Sequence, residues 1–254
     1  MDSGRSSATT ATPGSDARNL PERRYLRRFS RTERALHWVH ASAFLVLLGS
    51  GLVLYLPALS ELVSRRPLVK AIHLWTAVAW IAALALVVLV GDRPGLRRTL
   101  RELDRFDADD RRWLRGRRVP QGRFNAGQKL NAAISAALAL LFALSGFLLW
   151  YGERDTRFRF ASTLLVHDGL MYIFLVLLVG HLYLALIHPS TRHALRGITL
   201  GTVDKEWAKR HHPKWIEQPR TLRRRGARSF ATPVATAPLF QKLFHTRGTL
   251  DEAQ

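Results

Sequence analysis

Four uninterrupted apolar stretches constrain this chain more than any other feature of it. They run Ala35–Leu56, Leu68–Val90, Leu130–Tyr151 and Leu164–Ile187, and together hold only two of the 58 charged side chains, Lys70 and Asp168. Each is long enough for an α-helix to cross a hydrocarbon core, which takes about 20 apolar residues. A soluble bundle would show polar stripes at helical spacing, because a helix that is apolar all round must sit in protein or in lipid. The 254 residues therefore read as an all-α, integral membrane four-helix bundle. A soluble enzyme, a collagen and a disordered chain are excluded.

The remaining charges are crowded into the ends and connections, and their net value is +20. Of the Lys and Arg residues, 33 fall before span 1, between spans 2 and 3, or after span 4, and five fall in the other two loops. That bias places both termini and the connection 91–129 in the cytoplasm. Arginines that bracket spans are drawn to anionic headgroups, so membrane lipid is the expected partner of this charge and nucleic acid is not.

Residues 1–24 read as a disordered basic tail, 25–217 as the four-span domain and 218–254 as a basic C-terminal tail. In that last tail Arg220, Arg223, Arg224, Arg225 and Arg228 suggest contact with a membrane surface or a partner. Arg27 and Arg28 before an apolar run bring a secretory twin-arginine signal to mind, but span 1 is long enough to cross and three more spans follow. Cysteine is absent, so this chain supplies no disulfide, iron–sulfur cluster, thiolate zinc site or covalently attached haem. In the central connection Leu103, Phe106, Trp113 and Leu114 predict a short amphipathic helix on the headgroups. Asp107, Asp109 and Asp110, among arginines, read as an ion-pair cluster rather than a metal site. No internal repeat stands out.

Ionisable groups inside spans are expensive and point to function. Five of the ten histidines lie there: His37 and His40 in span 1, His73 in span 2, His167 and His181 in span 4. Span direction puts His37, His40 and His181 near the inner face, and His73 and His167 near the outer. His167 and His181 are fourteen residues apart, about 40° short of four turns and about 21 Å along one helix face. Two macrocycles stacked across the membrane, one held by His73 and His167 and the other by His37 and His181, fit that arrangement. Gly51, fourteen residues after His37, falls at the outer level, where glycine permits close approach of a macrocycle. A catalytic zinc site would want three ligands at one depth. His40 and His188 stay unassigned. Lys70 and Asp168 fall near the outer level, where Lys70 either meets an acidic group of a bound macrocycle or of a partner subunit, or snorkels to the interface.

Four runs carry a resemblance: Glu33-Arg34-Ala35-Leu36-His37-Trp38, Gly122-Arg123-Phe124-Asn125-Ala126-Gly127-Gln128-Lys129, His181-Leu182-Tyr183, and Trp207-Ala208-Lys209-Arg210-His211-His212-Pro213. Over about Arg24 to Glu217 the chain resembles the gamma subunit of bacterial respiratory formate dehydrogenase. That subunit is a di-haem cytochrome b of the group serving formate dehydrogenases and nickel hydrogenases. The resemblance implies two b haems with His37, His73, His167 and His181 as axial ligands, and a quinone pocket, for menaquinone or ubiquinone, at Asn125, Gly127 and Gln128. By spacing alone Asn125 and Gln128 read as helix caps. It further implies an iron–sulfur beta subunit and a catalytic alpha subunit as partners, and a place in the bacterial inner membrane. The formate-oxidising site would lie on the partners. The rival readings are the cytochrome b subunit of a nickel hydrogenase or other reductase, and, in another class, a metal-ion transporter using membrane histidines.

Overall fold

The computed structural model describes residues 24–217. The two expected tails, Arg24 apart, lie outside the described residues. Helix α1 (Arg31–Tyr55) is joined by the short α2 (Pro57–Val63) to α3 (Arg66–Val90). The connection that follows folds into α4 (Arg93–Asp104) and α5 (Ala108–Leu114), then come α6 (Ala126–Gly152) and α7 (Ala161–Leu182). A π-helical turn, Tyr183–Ile187, extends α7, so four helices of 25 to 27 residues are long and apolar enough to span. At 1.5 Å per residue each is about 37–40 Å long, more than the ~30 Å hydrocarbon core requires.

The long helices begin two to four residues before their apolar runs, and at α1 and α6 polar residues cap the start. At α1 the Ser30 hydroxyl accepts from the Glu33 amide at 3.1 Å and the Glu33 carboxylate from the Ser30 amide at 2.6 Å. This reciprocal box satisfies two of the amides that a helix start leaves orphaned. Helix α6 has the same device in Asn125 and Gln128, and α3 carries a proline in its first turn.

Helix α1 packs along α3, and α6 along α7. Phe44 of α1 joins the two pairs, with ring centroids 5.2 Å from Trp80, 5.9 Å from Phe142 and 4.8 Å from Phe174. Outward-facing side chains are apolar and bare: Trp75, Leu165 and Val176 are each more than 70% exposed. A monomer in water rarely shows apolar patches of that extent, so lipid is their solvent.

At the end of the bundle where α1 begins, here the basic end, the chain builds a cap. Strand β1 (Tyr25–Arg27) pairs antiparallel with β2 (Thr202–Asp204), Leu26 lying opposite Val203. Val203 is fully buried and packs with Trp207, Ala208 and Trp215 from α9 (Lys205–His211) and α10 (Pro213–Glu217). The preceding α8 (Leu195–Leu200) stops at Gly201, whose φ of 83° suits glycine, and the Gly201 carbonyl accepts from the Arg28 and Phe29 amides. Strands this short leave no alternation to read.

The connection 91–125 forms two helices where one was expected, and both pack on α6 as well as facing outward. Asp107 and Asp110 cap α5 reciprocally. The carboxylates are ion-paired, largely by lysines from elsewhere: Lys129 reaches Asp110 at 2.5 Å, and Lys214 reaches Asp107 at 3.1 Å and Asp109 at 2.5 Å. The Asp110 amide, and after it Lys214, holds the Asp107 carboxyl below its usual range, and the hydrogen bond to Asp109 holds the Lys214 ammonium above its own. The Lys70 ammonium pairs with Glu153 at 2.5 Å, just past the end of α6, as an exposed ion pair within this chain.

Candidate functional site

The histidines of the spans form two pairs of neighbouring rings. His37 of α1 and His181 of α7 have centroids 6.3 Å apart at the basic end, with ring planes at 51°. His73 of α3 and His167 of α7 have centroids 6.3 Å apart at the far end, with planes at 70°. An imidazole nitrogen lies about 1.1 Å from its ring centre and binds a metal at about 2 Å, so two opposed ligands of one ion put centroids about 6.2 Å apart. Both pairs thus have the spacing of a bis-imidazole iron. Among the described residues no third His, Asp or Glu converges on either pair to make a three-ligand site.

Behind the far pair stand two serines that the sequence reading passed over. Ser50 Oγ lies 2.8 Å from His73 Nδ1 and 2.7 Å from the Val46 carbonyl, and Ser145 Oγ lies 2.9 Å from His167 Nδ1 and 2.7 Å from the Leu141 carbonyl. Each hydroxyl bonds back to its helix carbonyl and gives its proton there, so Oγ accepts from Nδ1–H, and the Leu47 carbonyl stands as a further acceptor beside Ser50 and His73. Both rings are thereby held in the tautomer that leaves Nε2 free to ligate.

The next residue in each case is glycine. A Cβ on Gly51 would sit 3.5 Å from His73 Cε1, and one on Gly146 would sit 3.4 Å from His167 Cε1. Gly51 therefore lies against the imidazole. Ser-Gly recurs with its serine 23 residues before His73 and 22 before His167, a repeat relating α1–α3 to α6–α7 that was there to be found in the sequence.

The other histidines have different neighbours. His40 lies against Phe44 and Trp80, at 4.5 and 5.7 Å between centroids, on the aromatic junction between the two pairs. His188 Nδ1 is within 3.1 Å of the Ser190 hydroxyl and 3.2 Å of Thr191 Oγ1, in the turn that ends span 4.

Three of the four resemblance-bearing runs meet in the cap beside the start of α6. Arg123 is the hub, its guanidinium bonding Glu33 at 3.0 Å, Glu102 at 2.6 Å, Thr99 at 2.5 Å and the Arg28 carbonyl at 3.1 Å. His212 Nδ1 donates to the Gly122 carbonyl at 2.6 Å, and burial together with the Arg28 charge pushes its pKa down to about 3. Arg34 donates to the Ile198 carbonyl at 3.1 Å and to Thr199, which ties α1 to α8.

Asn125 and Gln128 close the capping box of α6: Asn125 Oδ1 accepts from the Gln128 amide at 2.8 Å, and Gln128 Oε1 from the Asn125 amide at 3.1 Å. Gln128 Oε1 also accepts from Arg28 Nη2 at 3.3 Å. Arg28 is 3% exposed, its pKa is pushed down to about 10 by burial and by the charge of Arg123, and its Nε and Nη1 have no partner among the described residues. These orphaned donors, with the amide NH2 groups of Asn125 and Gln128, are chemistry suited to a carbonyl oxygen. Gly127 has a packing reason of its own, since a Cβ there would come within 2.9 Å of the Trp113 ring.

Comparison with known proteins agrees with this architecture. The chain is 26% identical over 209 residues to the formate dehydrogenase cytochrome b556(fdo) subunit of Escherichia coli strain K12, covering 76% of this chain and 92% of that one. It is 24% identical over 203 residues to the formate dehydrogenase cytochrome b556 subunit of Haemophilus influenzae, covering 73% and 79%. It is 21% identical over 198 residues to the nitrate-inducible formate dehydrogenase cytochrome b556(Fdn) subunit of E. coli K12, covering 73% and 88%. The model of the prokaryotic cytochrome b561 family matches residues 28–201, and the chain, a membrane protein of the haem b electron-transfer class, belongs to that family.

Proposed function

We propose that this chain is the membrane-anchor cytochrome b subunit of a formate dehydrogenase complex, working between an iron–sulfur partner and a quinone. The observation that carries the reading is the pair of facing imidazoles at each of two levels, both at 6.3 Å, together with relatives named as formate dehydrogenase subunits. His73 and His167 would hold one haem b and His37 and His181 the other. Bound there, the haems supply one-electron relays across the membrane.

The chain's own residues do the rest. Ser50 and Ser145 fix which nitrogen of His73 and His167 faces the iron, and the apolar span residues keep water from both levels. At the basic end Gln128 and Asn125 present N–H donors to the quinone carbonyl, and Arg28 adds a buried cation. The excess of Lys and Arg supports a cytoplasmic location for that end in a bacterial inner membrane, so protons for quinone reduction come from the cytoplasm. The iron–sulfur and catalytic subunits would then dock outside, where Lys70 and Glu153 form an exposed ion pair.

The test is a haem count on the purified chain. Two non-covalent b haems per chain, reducible by dithionite in the isolated protein and by formate in membranes that hold the complex, are expected. His73→Ala and His37→Ala should each leave one. A chain without a haem spectrum, or one that keeps both haems in either variant, overturns the reading.

A further inference from the structure

Resting on that reading, we infer that Ser50 and Ser145 are positioning residues that hold down the reduction potential of the outer haem by accepting a hydrogen bond from each of its two axial histidines. Each hydroxyl has spent its proton on the carbonyl one turn back, Val46 or Leu141, and is left a pure acceptor 2.8 or 2.9 Å from Nδ1. Accepting from Nδ1–H draws that proton outward and makes Nε2 more basic, the second-shell effect that tunes ligated histidines. A more basic axial pair favours ferric over ferrous iron. The device acts twice on one site, from helices on opposite sides of the bundle.

Its placement suits electron flow. Lowering the outer potential biases an electron at that level towards the inner one. The hydrogen bonds also fix the ring planes, and each imidazole lies against the adjoining Gly51 or Gly146.

The test uses the purified chain carrying its haems, with Ser50→Ala, Ser145→Ala, the double variant, and the Thr variants, which restore a back-bonded hydroxyl. Redox titration of the haem absorption bands is the measurement, with electron paramagnetic resonance of the oxidised protein. Each alanine variant should raise the Fe(II)/Fe(III) ratio of the outer component several-fold at fixed potential, and the double variant tenfold or more. The inner component should not move, and the g values should change for the outer haem alone. Threonine should restore both signals, and also haem occupancy where an alanine variant loses it.

Two haems bound with unmoved potentials would overturn the inference, as would threonine variants that behave like alanine. That failure is distinct from failure of the ligand assignment, which shows as two haems persisting in His73→Ala.

Discussion

Replacing Gln128 by glutamate separates two roles that one side chain combines. Its Oε1 caps α6 by accepting from Asn125 and also accepts from Arg28, while its NH2 group is the donor proposed to meet a quinone. Glutamate keeps both acceptors and turns the bond to the buried guanidinium, already charge-assisted and worth about 1.5–3 kcal/mol, into an ion pair. The α6 start should therefore be as stable as before or more so. What disappears is the donor. A hydrogen bond to a carbonyl contributes about 0.5–1.5 kcal/mol, which at room temperature is about a 2- to 13-fold slowing of haem reoxidation by quinone. Gln128→Ala, by contrast, should slow reoxidation and loosen the cap, and Asn125→Ala should cost about 1 kcal/mol as an N-cap loss. Stopped-flow reoxidation of pre-reduced protein, set beside a thermal melt of the same sample, measures both quantities. Wild-type reoxidation in Gln128→Glu would reduce Gln128 to a helix cap and refute the donor role.

His40→Ala should keep two haems, because that ring packs on Phe44 and Trp80; a haem count of one would move the ligand to it. Gly127→Ala forces a methyl against the Trp113 ring and should destabilise by about 1–3 kcal/mol, with Trp113→Leu relieving part of the cost in a thermal-melt double-mutant cycle. His212 stays neutral in the fold with its pKa near 3, while the unfolded chain takes up a proton below its ordinary value. Its contribution is full above about pH 6.5 and is lost as pH falls towards 3, by up to about 1.4 kcal/mol per pH unit. His212→Gln should flatten the melting temperature over that range, and an unchanged slope would refute the assignment.

The sequence made the span count and the depth of each histidine legible, because hydropathy and helical rise are properties of local sequence. Fourteen residues from His167 to His181 were enough to say which rings would be neighbours. The cap was not legible. Its hub joins Arg123 to Glu33 and His212 to Gly122, each across 90 residues, and no local pattern announces such contacts. The Lys70–Glu153 pair was hidden for a similar reason, since its partners lie 83 residues apart. Ser50 and Ser145 were overlooked because a serine in an apolar helix has no distinctive period of its own. Their similar spacing to a histidine is written in the sequence, but only the contact with each imidazole gives it a meaning.

The β1–β2 ladder also dictates an order of assembly. Tyr25 leaves the ribosome early, yet its partner Asp204 is made only after the fourth span. Both histidine pairs likewise depend on α7 for one ring each. Neither histidine pair can therefore form before α7 is inserted, and the cap can close only after β2 has followed it. Closure so long-range is slow on the time scale of local helix formation. Maturation of the chain is thus a sequence in which insertion comes first, and closure of the basic end waits for nearly complete synthesis of the four-span unit.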